Sequence, residues 1–321
     1  MEYVVVDFEW NQSPYGKNAS NKYLPFEIIE IGAVKLDEEG REIGRFDEVI
    51  KPKVYKRMNH VTKHLTGITE KDLNHGRAFP KALVDFMNWC GDNFMFCTWG
   101  NLDLLELQRN MKFFHLESLL TGPIKYYNVQ KLFRMFYDEG NSAASLEYAV
   151  DFFKLERKGC FHRAINDAEY TAEIFALIDK QEAEKWYTVD YYQNPKTRKE
   201  ELKLIYETYS KYVSKEFNSK EAAMADREVR TTRCFKCGRT AQKRIRWFSG
   251  KNRCYYCLAE CGEHGYIRGK IRLKKTDEDK VYVVKTLRQI DGEGAKQIVA
   301  MKEEVRQKRQ EKRHREGIHE G

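Results

Sequence analysis

Two acidic residues lie near the end of the first apolar segment of this 321-residue chain. Residues 3–10 are rich in β-branched and aromatic side chains, which predicts a buried strand. Because side chains alternate along a strand, Asp7 and Glu9 project from the same face. Two negatively charged carboxylates side by side at the end of a buried strand are energetically unfavourable unless a cation lies between them. We therefore predict that they hold a divalent metal ion; the alternative is an exposed strand end that leads into polar residues 11–22.

A histidine and an aspartate five positions apart form a second feature. At 3.6 residues per turn, His162 and Asp167 cannot share one face of a helix. The apolar spacing from Asp167 to Ile178 predicts a helix whose inner face begins at the aspartate. His162 then lies on an entry loop, an arrangement that suits a general base beside a metal ligand. A capping histidine followed by an exposed aspartate is the alternative.

A fourth acidic residue follows a predicted strand at residues 93–100. Asn101 is the expected cap of a helix over residues 102–111, which puts Asp103 in the first helical turn. Ligands of α/β proteins bind at such strand-to-helix junctions. We predict a functional role for Asp103; the alternative is that it only favours the helix N-terminus electrostatically.

Five of the eight cysteines are clustered in the last third of the chain, which in a reducing compartment indicates metal binding rather than disulfides. Two Cys-x2-Cys pairs with sixteen residues between them are typical of a tetrahedral structural zinc site. The predicted ligands of one structural Zn²⁺ are Cys234, Cys237, Cys254 and Cys257. Cys261 and His264 are further candidates, either for one of these four positions or for a second, partial site.

The composition predicts a soluble, cytoplasmic protein with a separate basic region. Hydrophobic residues make up 41% of the chain, the mean hydropathy is -0.73, and no apolar run is long enough to span a membrane. The amino terminus lacks the basic region of a signal peptide. The net charge is +8, yet residues 233–275 contain 13 Lys and Arg against two acidic residues. Such a distribution is expected of an appended nucleic-acid-binding module.

The order of predicted elements indicates four segments. Strands and helices are mixed over residues 1–182, including a three-stranded meander that extends to residue 51. Residues 183–230 are predicted to form a helical connector, because apolar residues between positions 199 and 217 have helical spacing. Residues 231–290 form the predicted zinc ribbon-like domain with basic and aromatic side chains. Residues 291–321 are predicted to be a charged helical tail.

The acidic motifs and their order resemble the DEDDh branch of the DnaQ-like 3′-5′ exonucleases, the superfamily of RNase T and the polymerase III ε subunit. The resemblance covers residues 1–182 and includes the Asp-Phe-Glu strand, the Trp-Gly-Asn-Leu-Asp junction that ends at Asp103, and the His-x4-Asp motif. Together with the Leu-Thr-Gly-Ile loop at residues 65–68, these motifs look most like Eri-type and KapD-like exoribonucleases.

The resemblance implies a ribonuclease H-like α/β fold, with a mixed five-stranded sheet and helices on both faces. It also implies two Mg²⁺ or Mn²⁺ ions about 4 Å apart, with His162 accepting a proton from the attacking water. The implied metal ligands are Asp7, Glu9, Asp103 and Asp167. The side chains implied to wedge and orient the 3′-terminal nucleotide are Phe8, Trp10, Leu65 and Thr66.

The sequence therefore predicts a metal-dependent 3′-to-5′ exonuclease that hydrolyses single-stranded or 3′-overhanging RNA to nucleoside 5′-monophosphates. The expected partner is nucleic acid, with RNA favoured by the subfamily resemblance, and no membrane is expected to be involved. One alternative is an exonuclease that acts on DNA. The other is a nucleic-acid-binding adaptor in which the nuclease fold is a catalytically silent scaffold.

Overall fold

The computed structural model describes residues 1–138, 144–250, 254–276 and 278–318, with the side chains of residues 312–318 left out. The chain divides into two compact units, Met1–Gln193 and Asn194–Gly321. The first unit thus continues beyond residue 182, the predicted end of the exonuclease domain.

The first unit is a mixed sheet with helices on both faces. Its strands are β1 (Glu2–Gln12), β2 (Phe26–Leu36), β3 (Glu42–Lys51), β4 (Arg77–Ala78), β5 (Phe94–Thr98), β6 (Ile124–Asn128) and β7 (Thr188–Asp190). Its helices are α1 (His60–Thr66), α2 (Glu70–His75), α3 (Phe79–Cys90), α4 (Asp103–Phe113), α5 (Val129–Phe136), α6 (Leu146–Phe152), α7 (Ala164–Leu177) and α8 (Lys180–Glu184).

The strand order is β4-β3-β2-β1-β5-β6-β7. Strands β1, β2 and β3 form the antiparallel meander, whereas β5 and β6 continue the sheet in parallel with β1. The predicted α/β fold class is confirmed. Five strands are implied by the resemblance, and the two additional strands, β4 and β7, are short and lie at the sheet edges. Because β7 pairs with β6, the residues after position 182 are part of this unit.

The second unit contains six strands, β8 (Leu202–Ile205), β9 (Tyr209–Val213), β10 (Gln242–Ser249), β11 (Cys254–Cys261), β12 (Gly265–Lys275) and β13 (Val281–Gln289). They form an antiparallel sheet with the order β10-β11-β12-β13-β9-β8. The helices are α9 (Lys220–Ala225), α10 (Arg227–Arg230) and α11 (Gly292–Ile318). Within the described ranges, no helix is both long and apolar enough to cross a membrane.

The helical connector predicted for residues 183–230 is wrong over its central part. Residues 202–213 form the hairpin of β8 and β9, in which the Tyr206 amide donates to the Tyr209 carbonyl across the turn at 2.8 Å. Apolar residues three or four positions apart fit a helix, but they also fit two short strands joined by a turn. Pairing of β9 with β13 places this hairpin in the six-stranded sheet. The helical parts of this segment are the end of α8, a 3-10 turn at Arg198–Glu200, α9 and α10.

Strand β1 contributes to the core on both faces of the first sheet. Tyr3 and Val5 lie in a cluster with residues of α5, α6 and α7. Val4, Val6 and Phe8 lie in the opposite cluster with residues of α3 and α4. By the same alternation, the side chains at positions 7 and 9 project toward the face covered by α7.

Helix α7 meets the sheet at a glycine. Gly32 on β2 pairs with Asp7 on β1, and a Cβ atom at Gly32 would lie 2.1 Å from the backbone carbon of Ala164. No side chain fits in that space, so the first turn of α7 lies directly against the sheet backbone beside Asp7. Glycine within a strand often marks such a close approach.

We predict that Gly32→Ala destabilises the first unit by about 1–3 kcal/mol, because the new methyl group must push α7 away from β2. Gly44→Ala is the matched control, since its Cβ would make an ordinary 3.6 Å contact with Trp89. The free energies of unfolding are measured by denaturant titration. Equal effects of the two substitutions would contradict the proposed close approach.

Candidate active site and metal centres

Three elements bring the four predicted carboxylates to one place. Asp7 and Glu9 lie on β1, Asp103 is the first residue of α4, and Asp167 is in the first turn of α7. Asp103 is 5% exposed and Asp167 is 9% exposed. The expected cap by Asn101 is not formed, because α4 begins directly after Leu102 without a side-chain cap.

His162 lies on the loop before α7 and is held next to Asp167. Its backbone has φ 63°, a left-handed conformation that is uncommon outside glycine. Its amide donates a hydrogen bond to Oδ2 of Asp167 at 3.1 Å. Ligand atoms of Glu9, His162 and Asp167 all lie within 4.8 Å of one another. The exposed imidazole is therefore placed beside the buried carboxylate cluster.

Burial and mutual repulsion make the carboxylates difficult to ionise in the absence of a cation. Burial raises the pKa of Glu9 to about 8, of Asp103 to about 7 and of Asp167 to about 6. Burial, together with the neighbouring carboxylates, raises the pKa of Asp7 well above its ordinary value. Hydrogen bonds from the amides of Asp103 and Phe8 act in the opposite direction at Asp103.

These residues fit a divalent metal site. Oδ1 of Asp167 is buried and has no hydrogen-bond partner among the residues that the structure describes. A cation would provide that partner and would also remove the repulsion between the four carboxylates. Carboxylate oxygens are the ligands that Mg²⁺ and Mn²⁺ prefer. We conclude that the cluster could hold such ions, with Asp7, Glu9, Asp103 and Asp167 as oxygen ligands.

An ion pair between buried Glu30 and partly exposed Arg163 fixes the position of the His162 loop. Glu30 on β2 is fully buried and lies opposite Glu9 in the strand pairing. Its carboxylate accepts hydrogen bonds from Nε of Arg163 at 2.9 Å and from the amide of Ala164 at 2.8 Å. The sequence predicts only that Glu30 is structural or lies near β1. Its pairing with Arg163 depends on the packing of α7 on β2, so no local sequence signal identifies it.

Two of the four predicted substrate contacts are wrong. The side chain of Phe8 is 2% exposed and packs against Phe86 in the core, because it points away from the carboxylates. Thr66 is 5% exposed, and its hydroxyl donates to the Thr62 carbonyl and accepts from the Ile68 amide. Neither side chain is available to a nucleotide.

The other two predicted contacts are more accessible. Leu65 is 47% exposed at the end of α1. Trp10 is partly buried beside Phe26, directly after Glu9 on β1. The predicted loop at residues 65–68 begins inside helix α1, which ends at Gly67 in the left-handed conformation. This C-cap explains the glycine, since φ is 68° there.

Asn11 anchors the segment that carries α1, a role that the sequence analysis missed. Its fully buried Nδ2 donates to the carbonyls of Tyr55 and Arg57, both at 2.9 Å. Its Oδ1 accepts a hydrogen bond from the Asn59 amide, and Asn59 in turn caps α1. These contacts attach α1, and with it Leu65, to the end of β1.

In the second unit, the structure contains a four-residue cluster whose membership differs from the prediction. Ligand atoms of Cys234, Cys237, Cys261 and His264 all lie within 4.8 Å of one another. The sulfur atoms of Cys237 and Cys261 are 3.7 Å apart, and Nδ1 of His264 is 3.6 Å from the Cys234 sulfur. In a tetrahedral site with zinc–sulfur distances of about 2.3 Å, two sulfurs lie about 3.8 Å apart. The cluster therefore fits a closed zinc site.

The predicted ligands Cys254 and Cys257 are wrong, because both lie within strand β11. Residues three positions apart in a strand point to opposite faces, so this Cys-x2-Cys pair cannot form a zinc knuckle. The sulfur of Cys257 instead packs against Gly269 of β12, where a Cβ would lie 2.4 Å away. The second half of the site comes from the turn that starts at Cys261, where amides of Glu263 and His264 lower the pKa of the Cys261 thiol to about 6.

Comparison with known proteins identifies the family of the first unit. Residues 4–175, more than half of the chain, match the RNase T family, which is described as exonuclease. The chain belongs to the RNase T exonuclease family. It is an exonuclease, an enzyme that hydrolyses phosphodiester bonds, and the prediction of an enzyme is confirmed.

Two curated relatives are similar to this exonuclease over most of its first unit. The probable 3′-5′ exonuclease KapD of Bacillus subtilis is 28% identical over 190 residues, which are 57% of this chain and 87% of KapD. The rat 3′-5′ exoribonuclease 1 is 24% identical over 159 residues, 46% of this chain and only 45% of that protein. The solved nuclease domain of 3′hExo bound to rAMP has the same fold, with a TM-score of 0.50, 20% identity and coverage of 59% of this chain and 96% of that domain.

The raised pKa values predict how stability changes with pH. A carboxyl with a higher pKa in the folded than in the unfolded state holds its proton more tightly when folded. The metal-free protein should therefore lose stability as pH rises from about 4, the ordinary carboxyl pKa, to about 8. At about pH 8, Asp103→Asn should then stabilise the metal-free protein, by on the order of 2 kcal/mol, and Mn²⁺ should stabilise the wild type more than the variant.

Thermal unfolding midpoints across this pH range, with and without Mn²⁺, test this prediction. Asp92→Asn is the matched control, because Asp92 is exposed and lies outside the cluster. A lower midpoint for Asp103→Asn than for wild type in metal-free buffer at about pH 8 would contradict the proposed repulsion.

Proposed function

We propose that this enzyme is a metal-dependent exonuclease that removes nucleoside 5′-monophosphates from the 3′ end of single-stranded or 3′-overhanging RNA. The observation that carries the proposal is the cluster of four carboxylates with His162 beside it, since Glu9, His162 and Asp167 lie within 4.8 Å of one another. A cluster of this type has the composition that phosphodiester hydrolysis requires: oxygen ligands for divalent cations and a base for the attacking water.

Each residue has a distinct task in the proposed reaction. Two Mg²⁺ or Mn²⁺ ions, held by the four carboxylates, would act as Lewis acids on the scissile phosphate and lower the pKa of the attacking water. His162 accepts the proton of that water, because its exposed imidazole lies beside Glu9 and Asp167 and a histidine can act as a general base. Glu30 and Arg163 hold the backbone of the His162 loop and leave the imidazole exposed. Leu65 and Trp10 are the remaining candidates for contact with the terminal nucleotide.

The choice of RNA is supported by the relatives named as exoribonucleases, from rat and mouse, which are 24% and 25% identical to this chain over their matched segments. A DNA substrate is the second candidate. The ε subunit of DNA polymerase III from Aquifex aeolicus is 28% identical over 166 residues and is matched over 78% of its length. Matched RNA and DNA substrates distinguish the two functions.

We also propose that the second unit binds one structural Zn²⁺ through Cys234, Cys237, Cys261 and His264. Four protein ligands leave no open position for water, so the role of such a site is structural rather than catalytic. The site joins the turn after Cys234 to the turn between β11 and β12. A metal connection of this kind stabilises a small sheet whose hydrophobic core is limited.

We predict that Asp167→Asn abolishes Mg²⁺-dependent shortening of 5′-labelled RNA from its 3′ end, because it removes a charge that holds the metal ions. His162→Ala should reduce the rate by about 10²- to 10⁴-fold, the usual contribution of a general base. Rates are measured from product ladders, and the released mononucleotide is identified by chromatography. The controls are Asp92→Asn and His75→Ala, two exposed positions away from the cluster.

Two results of this assay would contradict the proposal. Internal cleavage, or shortening from the 5′ end, would exclude a 3′ exonuclease. Faster degradation of DNA than of the matched RNA would leave the catalytic cluster intact but replace the proposed substrate with DNA.

For the zinc site, we predict one zinc ion per chain by elemental analysis, and loss of zinc in Cys261→Ser and in His264→Ala. Cys257→Ser should retain the metal, since that sulfur packs against Gly269 outside the cluster. Loss of zinc in Cys257→Ser but not in Cys261→Ser would favour the ligand set predicted from the two Cys-x2-Cys pairs.

A further inference from the structure

One face of strand β12 carries a continuous row of basic side chains. This basic row consists of Arg268, Lys270, Arg272 and Lys274, which alternate with the buried residues Ile267, Gly269 and Ile271. Arg272 and Lys274 are exposed and the other two are half-buried. Because alternate residues of a strand point the same way, the four cationic groups share one face, with Cα atoms about 6.7 Å apart.

The charges of the basic row are not neutralised by acidic side chains. Arg288 on β13 lies directly opposite Arg268, so a fifth cation adjoins the row. None of the five forms an ion pair with any residue in the described ranges, whereas other basic residues of this unit do, including Arg244 with Glu260 and Lys280 with Glu216. Like charges directly opposite each other destabilise a sheet. The arrangement of cations therefore lowers the stability of the fold and is not explained by folding.

Lys270 lies at the centre of the basic row. Burial, and then the neighbouring Arg272, lower the pKa of its ammonium group; Cys254 acts in the opposite direction, and Arg268 lowers the pKa further. Its Nζ lies 5.6 Å from the ring centroid of Tyr256, which faces it from β11. A bound anion would relieve the repulsion. The half-buried Tyr256 ring lies beside the row and also packs against Phe248 and the α11 residues of the same cluster.

We infer that the basic row and Arg288 bind the phosphodiester backbone of a single nucleic-acid strand, RNA or DNA, that lies along β12. Regularly spaced cations suit a polymer that carries one negative charge per nucleotide, and basic surfaces combined with aromatic side chains are typical of single-strand binding. The inference deepens the proposed function, because it assigns a substrate-holding surface to the second unit, remote in sequence from the catalytic residues.

A membrane surface fits this face less well. Binding to acidic lipids by a protein surface usually combines basic residues with exposed apolar ones. Among the described residues of this unit, the exposed large apolar side chains are Ile205 and Val299, and neither belongs to β12. The repeated spacing of the charges favours a strand of nucleic acid over a lipid surface.

The test measures binding without cleavage. The full chain carrying Asp167→Asn is titrated with a fluorescent single-stranded RNA, and separately with the matched DNA, over a series of salt concentrations. The test variant adds Arg268→Gln, Lys270→Gln and Arg272→Gln. The control variant adds Lys81→Gln, Lys199→Gln and Arg227→Gln, which make the same change of net charge at exposed positions without ion pairs to described residues.

Loss of three phosphate contacts should raise the Kd by roughly 10- to 100-fold near 0.1 M salt. It should also reduce the slope of log K against log salt concentration by about 2, since each contact with a single strand contributes about 0.7. The control variant should keep both the affinity and the slope. Zinc content and the unfolding midpoint establish that the test variant is folded. If it is not, Lys274→Gln with Arg288→Gln, at two exposed positions, should reduce the slope by about 1.4.

Equal affinities of the test and control variants would overturn the inference, whether both bind normally or both bind weakly. The inference would also be overturned, in favour of a membrane surface, if the test variant lost binding to vesicles containing phosphatidylserine but bound RNA and DNA as well as the control variant does. The proposed function is judged separately: if the wild type degrades RNA and the row variants bind it normally, only the inference fails. If no degradation occurs but binding depends on the row, only the proposed function fails.

Discussion

Four carboxylates from three different elements share one buried cluster. The repulsion between their negative charges is the constraint on which the site depends. Asp7 and Glu9 come from a central strand, while Asp103 and Asp167 come from the first turns of α4 and α7. Burial raises the pKa of each, so metal-free protein must either hold protons there or tolerate like charges. Bound divalent cations would remove both the need for these protons and the repulsion between the carboxylates. The same arrangement that should destabilise the metal-free protein near neutral pH therefore suits the proposed metal ions.

The cluster exists because specific backbone contacts resist that repulsion. At Gly32 the start of α7 lies directly against β2, and Glu30 binds both Arg163 and the Ala164 amide. These contacts set the positions of Asp167 and of the His162 loop relative to β1. Asn11 does the equivalent for α1 and Leu65. The geometry of the candidate site is thus determined largely by residues outside the carboxylate cluster.

The local periodicity of the sequence was sufficient to predict the positions of some residues of the site, but not of others. Strand alternation places Asp7 and Glu9 together, and helix periodicity separates His162 from Asp167, because both rules depend only on neighbouring residues. The prediction that Cys254 and Cys257 bind zinc was wrong, since Cys-x2-Cys spacing does not reveal whether the segment is a turn or a strand. The prediction of a helix over residues 202–213 was wrong for a similar reason. The pairing of Glu30 with Arg163 and the tight contact at Gly32 arise from packing between segments distant in sequence.

Proton release on metal binding tests the central claim most directly. Calorimetric titration of the wild type with Mn²⁺ at about pH 7, in buffers of different ionisation enthalpy, gives the number of protons released per chain. With the pKa of Glu9 at about 8 and of Asp103 at about 7, we expect about one proton or more to be released, and fewer at about pH 9. Metal binding without proton release at about pH 7, or equal binding by Asp7→Asn, would contradict a cluster of repelling carboxylates that is neutralised by cations.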